Sequence, residues 1–386
     1  MDINNFKEKF FEKFGDRNNN PVIFFSPGRV NLIGEHTDYN GGYVFPCALN
    51  YGTYLCIRKT ESNILNFSTL NFNDDLKTEI KELFVNDGKK WINYPLGVIN
   101  EFLRKGIKLS GLELLFYGDV PNGAGLSSSA SIEMVTAVAI NDFFKAGFST
   151  LELVKMSQRA ENEFVGMNCG IMDQFAVGFG KKDNAIFLNC DNLYYENVPV
   201  QLGDCSLIIT NTNKRRGLTD SKYNERRSEC DKAVELLQNY KPIRNLSELN
   251  AGEIKILEKY ITDPVIRKRA RHVISENDRV IEAVNVLKNN NIARFGELMN
   301  LSHDSLKEDY EVTGVELDTL VYEGRKLPGV IGTRMTGAGF GGCTVSIIKK
   351  AYTANFMDKL STVYTSKTGL VPDFYEPEIG NGAGKI

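Results

Sequence analysis

The chain has 386 residues, 42% of them hydrophobic and 25% charged, and a formal net charge of −3. That length can build two lobes with substantial cores, and the charge gives no electrostatic ground for nucleic-acid binding. No apolar run is long enough to span a bilayer, the polar start MDINNFKEKF has no signal-peptide pattern, and the seven cysteines are scattered without a CxxC pair, as expected for reduced thiols in a cytoplasm.

Ile3, Phe6, Phe10 and Phe14 fall at helical spacing and predict a short amphipathic helix over 3–14. A strand over 22–26 runs into Pro27 and Gly28, and the turn-rich stretch RVNLIGEHTDYNGG follows at 29–42. Strands are predicted at 54–58 and 64–70, a helix at 91–104 carrying Trp91, a strand at 112–117 and a helix at 131–144. Helical patterns continue over 151–166 and 171–177, broken at 167–170. Residues 190–205 turn polar, which divides the chain into an N-terminal lobe, 1–200, and a C-terminal lobe, 201–386. Beyond them come a strand at 207–210, charged amphipathic helices at 220–239 and 265–289, and a shorter helix at 315–325. A glycine loop at 337–342, a strand at 344–348, a helix at 351–361 and an edge strand at 371–375 complete the chain. Strands and helices interleave without a strict βαβ rhythm, so the fold class is α+β.

The stretch 121–133, PNGAGLSSSASIE, joins a predicted strand to a predicted helix. A helix start carries unpaired N–H groups and partial positive charge, and so accepts an anion. Gly123 and Gly125 let backbone approach a phosphate closely, and Ser127, Ser128 and Ser129 add hydroxyls, including an oxygen ligand for Mg²⁺. The same pattern also fits an ordinary helix start with a serine cap. It is neither a Walker loop, lacking Gly-Lys-Ser/Thr, nor a Rossmann fingerprint, lacking the third glycine. Gly337, Gly339 and Gly342 spell GxGxxG, but a strand follows where the Rossmann mechanism needs a helix. Residues 380–385 have the wrong spacing for a Walker loop and read as a terminal tail.

Arg29, Glu35, His36 and Asp38 crowd into ten residues. Carboxylates spaced like Glu35 and Asp38 are good acceptors for sugar hydroxyls, although a solvated charged loop has the same composition. Asp173 sits in CGIMDQ among Ile171, Met172, Phe175 and Val177. Those neighbours suggest partial burial, and a buried carboxylate needs a partner.

Four stretches in this order, PGRVNLIGEHTDYNGG, PNGAGLSSSASIE, CGIMDQ and GTRMTGAGFGGC, resemble the GHMP family of small-molecule kinases. The first and third, with NERR beside Tyr223, resemble its galactokinase branch. The resemblance runs from about residue 22 to the final strand and implies an N-terminal lobe with a left-handed βαβ unit, a ferredoxin-like C-terminal lobe and a site between them. It implies that Gly123, Ala124, Gly125, Leu126, Ser127, Ser128 and Ser129 wrap the phosphates of ATP, and that Ser129 and Glu161 hold Mg²⁺. Trp91, Tyr94 and Ser68 would line the adenine pocket. Glu35, His36, Thr37, Asp38, Gly170 and Tyr223 would bind the sugar. Asp173 would be the catalytic base, with Arg29 as its charge partner, and the 337–342 loop would close over the nucleotide. The implied activity is phosphorylation of galactose at C1 by ATP in a cytoplasmic monomer, at the start of galactose catabolism. A kinase for a related sugar such as N-acetylgalactosamine, or a non-catalytic galactose and ATP sensor, shares the motifs. Galactokinase-like regulators are altered just after the phosphate-loop serines, whereas Ser129-Ala130 is intact here.

Overall fold

The computed structural model describes residues 2–16, 19–86, 88, 91–120, 125–214 and 219–386. Helix α1 (Ile3–Phe14) buries Phe6 and Phe10, as their spacing predicts, against Ile23, Cys56 and Leu115 on one face of a sheet. The N-terminal half continues through β1 (Val22–Asn31), β2 (Tyr43–Val44), β3 (Pro46–Lys59), β4 (Ile64–Thr69), β5 (Leu76–Glu79), α2 (Asn93–Arg104), β6 (Leu112–Gly118), α3 (Ser128–Phe143), α4 (Thr150–Arg159), α5 (Met172–Phe179), β7 (Asn184–Asn189) and β8 (Tyr195–Pro199). The C-terminal half follows with β9 (Cys205–Asn211), α6 (Thr219–Leu237), α7 (Leu257–Tyr260), α8 (Pro264–Lys288), α9 (Ile292–Ser305), α10 (Val315–Arg325), β10 (Val330–Thr336), β11 (Cys343–Lys349), α11 (Thr353–Thr368), β12 (Asp373–Tyr375) and β13 (Gly384–Lys385).

The first sheet runs β13-β1-β3-β6-β4-β5, the second β10-β11-β9-β12, and β2-β7-β8 form a third. Helices α2 and α3 cover the inner face of the first sheet, with Phe24, Leu55, Leu114, Phe102 and Met134 in one core. Helices α10 and α11 cover the second sheet through Leu320, Phe356, Leu360 and Tyr364. Local chemistry sets the helix ends. Ser149 and Glu152 form a reciprocal capping box on α4, and Asp263 caps α8 ahead of Pro264.

Two polar segments depart from the sequence expectation. The stretch expected as a loop boundary near 190–205 lies between β7 and β9 and contains β8, whose burial is mixed and so leaves no clean alternation to read. The expected tail at 380–385 instead returns to the N-terminal half. Gly382 N–H donates to Gly180 O, Ala383 N–H to Val177 O, and β13 pairs with β1 at Phe24 and Phe25.

The polar stretch after β1 is not a solvated loop. Residues 29–37 are buried and clasp the C-terminal half. Gly34 N–H donates to Glu276 Oε1, Asn31 N–H to Thr336 Oγ1, and His272 Nε2 meets Glu35 O at 3.1 Å. The end of β1, the start of α3 and the start of α5 converge beside this clasp.

Candidate functional site

The register between β1 and β3 shifts between Pro27 and Arg29. Such an irregularity re-aims a side chain, and Gly28 permits it: a Cβ there would lie 2.7 Å from Leu126 O. Arg29 N–H donates to that same carbonyl at 3.0 Å. The Arg29 side chain then reaches α5, where Nε donates to Asp173 Oδ1 and Nη2 to Asp173 Oδ2, both at 2.8 Å. Its Nη1 donates to Gly125 O at 2.8 Å. One guanidinium thus ties the candidate base to the glycine-serine loop.

Helix α3 begins without a side-chain cap. Ser127, at its N-cap, adopts left-handed backbone (φ 60°) and turns its hydroxyl away, donating to Asp173 Oδ2 at 2.5 Å. The first N–H groups of α3 are thereby left for another acceptor. A strained, uncapped start is a device seen at functional sites, and it excludes the ordinary serine cap that the sequence also allowed.

A cavity of about 210 Å³ opens between the lobes in front of Asp173. Arg29, Glu35, His36, Asp38, Glu161, Gly170, Tyr223, Gly337 and the loop residues Gly125, Ser127, Ser128 and Ser129 line it. Asp173 keeps 26% of its side chain exposed there. Burial raises the Asp38 carboxyl to about 6, and the charge of Asp173 adds to the rise. Burial also lowers His36 to about 3, aided by His272, so its ring is neutral at physiological pH. His36 Nδ1 lies 2.8 Å from Tyr39 Oη, and the ring lies over Tyr310 with centroids 4.7 Å apart. Glu35 is held from the other lobe: it accepts from Gly337 N–H at 2.9 Å, from Thr336 Oγ1 and in an ion pair with buried Arg334.

A second cavity, also about 210 Å³, is lined by Trp91, Tyr94, Phe72, Phe116, Thr69 and Asn71, and it shares Ser128 and Ser129 with the first. Its walls are flat and apolar with amide and hydroxyl groups at the rim, which suits a heteroaromatic base. The two cavities therefore meet at the start of α3.

Family models match three stretches: the galactokinase galactose-binding signature at residues 8–59, the GHMP kinase N-terminal domain at 93–181 and the GHMP kinase C-terminal domain at 280–365. The chain is 54% identical to a galactokinase of Fusobacterium nucleatum, over 94% of each chain, and 53% identical to one of Clostridium acetobutylicum over the full length of both. The chain belongs to the galactokinase family. A solved galactokinase of Lactococcus lactis complexed with galactose superposes with a TM-score of 0.97 at 44% identity, over all of both chains. A mevalonate kinase shares the fold, with a TM-score of 0.66 at 20% identity over 93% of this chain and 99% of that one. The GHMP kinase fold expected from the motifs is thus the fold of this chain.

The galactokinase signature covers Arg29, Glu35, His36, Thr37 and Asp38. The structure brings all but Thr37 to the first cavity. The Thr37 hydroxyl donates inward to Gly34 O and Tyr43 O and shapes the turn that presents Asp38. Trp91 and Tyr94 line the second cavity, whereas Ser68 is buried in β4 and its neighbour Thr69 faces the cavity instead. Alternation along a strand sends adjacent side chains to opposite faces. Leu126 contributes its carbonyl to Arg29 and buries its side chain. Gly123 and Ala124 lie outside the described residues. Gly337 lines the first cavity and lies against the Gly125 carbonyl, so this loop of the second lobe meets the glycine-serine loop there. Sequence reasoning missed Met167, Cys169 and Met172 in the first cavity, although the last two sit beside Gly170 and Asp173 in CGIMDQ, and Asn71, Phe72 and Phe116 in the second, which lie in no quoted motif.

Glu161 lies in a π-helical turn, Ala160–Val165, that extends α4. π-turns of this kind often mark functional sites. Burial raises its carboxyl to about 7, with the charge of Asp173 adding and a hydrogen bond from Ser129 opposing. Among the described residues no group of three or more His, Cys, Asp or Glu side chains could hold a metal by itself. A carboxylate and a hydroxyl beside a phosphate site nevertheless fit Mg²⁺, a hard cation commonly bound through one or two carboxylates plus substrate phosphates.

Proposed function

We propose that the chain transfers the γ-phosphoryl group of ATP to the C1 hydroxyl of galactose, giving galactose 1-phosphate and ADP. The observation that carries this reading is the meeting of the two cavities at Ser128 and Ser129, with the Arg29–Asp173 pair on the acceptor side. A nucleotide base against Trp91 and Tyr94 would send its phosphates over the uncapped start of α3, towards a sugar held by Asp38, His36, Glu35, Gly170 and Tyr223.

Phosphoryl transfer needs alignment and charge neutralisation more than covalent chemistry from the protein. Asp173 accepts the proton of the attacking hydroxyl. The two hydrogen bonds from Arg29 keep that carboxylate oriented towards the acceptor. The amides at the start of α3 stabilise charge on the transferring phosphates. Ser129 and Glu161 would hold Mg²⁺, which neutralises phosphate charge when bound with the nucleotide. Galactose fits the acceptor side because a buried carboxylate such as Asp38 selects for hydroxyls that satisfy it.

Among the described residues no helix is long and apolar enough to cross a membrane. The proposed enzyme acts in the cytoplasm as a monomer. A coupled ADP-release assay across a panel of sugars tests the activity. Galactose should far outrun N-acetylgalactosamine and glucose; binding of galactose and ATP without ADP release would make the protein a sensor.

A further inference from the structure

Gln174 follows Asp173 on α5 and is fully buried. Its Nε2 donates to Glu161 Oε2 at 2.5 Å and to Glu133 Oε2 at 3.0 Å. Glu133 comes from α3, Glu161 from the π-helical turn and Gln174 from α5, so three elements meet in one side-chain cluster. Cys169 Sγ also donates to Glu161 Oε2, at 3.5 Å. Both donors take the same oxygen. Glu161 also lines the first cavity, and its Oε1 takes neither of these two donors.

Two carboxyl groups buried side by side are costly without donors. Gln174 supplies a donor to each. Gln174 Nε2 is the atom that faces both carboxyl groups, and the opposite amide orientation would withdraw the donor from Glu161. Gln174 Oε1 is buried with no hydrogen-bond partner. A residue present for packing alone would be better apolar, since it would strand no acceptor. The cluster accepts that penalty and delivers a rigid donor to one carboxylate at the phosphate site.

We propose that Gln174 is a positioning residue for Glu161: it holds Oε2 from behind so that Oε1 is set to meet the Mg²⁺ that arrives with the nucleotide. This rests on the reading of Glu161 as a metal ligand. Ligating carboxylates are commonly hydrogen-bonded from behind, and losing such a partner costs about 10–100-fold in metal affinity.

Gln174→Met keeps the length and bulk and removes both donors. ADP binding is measured by calorimetry with and without Mg²⁺, beside galactose binding. The gain in ADP affinity conferred by Mg²⁺ should shrink by roughly 10–100-fold, while Mg²⁺-free ADP and galactose affinities stay at parent values. A parent-like Mg²⁺ gain overturns the proposal. So does an equal loss of galactose affinity, which general disruption of α5 would produce. Should Gln174→Met fail to fold, Gln174→Asn, whose amide is one methylene short of Glu161, is read in the same way and the same outcomes decide. Glu161→Gln, measured in parallel, separates the two claims. If it keeps the Mg²⁺ gain, the metal-site reading itself fails. If it loses the gain while the Gln174 variant keeps it, the role of Gln174 alone fails.

Discussion

The carboxylate of Asp38 occupies the space that a side chain on Gly170 would need: a Cβ built on Gly170 would fall inside it. Gly170 is therefore required for steric reasons, and it lets Asp38 pack against it in the lining of the first cavity. Gly170→Ala should push Asp38 off its sugar hydroxyls. An unsatisfied buried group costs about 1–3 kcal/mol, so galactose KM should rise roughly 5- to 150-fold while ATP KM stays near the parent value. Adding Asp38→Ala should cost little more, because the two changes remove one interaction. Steady-state KM values for both substrates check this; equal rises for galactose and ATP would show a wider collapse of the site.

Asp38 also carries a pH signature. Its carboxyl is raised from 3.8 to about 6, chiefly by burial. The folded state therefore holds the ionised form at a cost. That cost is present above pH 6 and is absent below 3.8, where folded and unfolded chains both carry the proton. Asp38→Asn should accordingly melt higher than the parent at pH 8, with the difference closing towards pH 4, even as galactose binding weakens. Thermal unfolding at the two pH values measures it, and a difference that does not change with pH would place Asp38 in solvent.

The readable parts of this chain were those whose signal is local. Phe6 and Phe10 announce α1 by spacing alone, and the apolar neighbours of Asp173 announced its partial burial. What could not be read depends on pairings far apart in sequence. Glu35 reads as a sugar-loop acid, but its anchoring by Arg334, Thr336 and Gly337, about three hundred residues away, leaves no local trace. The contacts of Gln174 with Glu133 and Glu161 join three helical segments and leave no periodic trace. The β13 strand has a glycine-rich sequence without strand propensity, and it forms because the edge of β1 is there to receive it. Ser68 and Thr69 differ by the face of β4 they occupy, a choice set by the sheet around them.

Trp91 is the one tryptophan of the chain and lines the second cavity, edge-on to Phe116 with centroids 5.4 Å apart. Intrinsic fluorescence excited at the indole band should therefore report nucleotide and not sugar. ADP should change the emission in a saturable way, and galactose alone should leave it nearly unchanged. Trp91→Phe should abolish the signal and raise ATP KM several-fold, with galactose KM unaffected. A fluorescence response to galactose and none to ADP would reverse the assignment of the two cavities.

Arg29 grips Asp173 with two parallel 2.8 Å hydrogen bonds while Ser127 donates a third to the same carboxylate. Asp173→Asn preserves size but cannot take a proton, and its amide would face the donors of Arg29. A positioned base contributes about 10²–10⁴-fold in rate, so kcat should fall by roughly that range with ADP affinity retained. Arg29→Ala should also lower kcat, and Arg29→Lys should recover little, because a point charge cannot reproduce the two-pronged contact. The double variant should be far less impaired than the product of the single losses, since groups acting as a unit are not additive. Single-turnover rates on galactose, beside calorimetric ADP binding, decide the matter. Parent-like turnover by Asp173→Asn would remove Asp173 from the chemistry, and fully multiplicative losses would mean that Arg29 acts on the transferring phosphoryl group independently of Asp173.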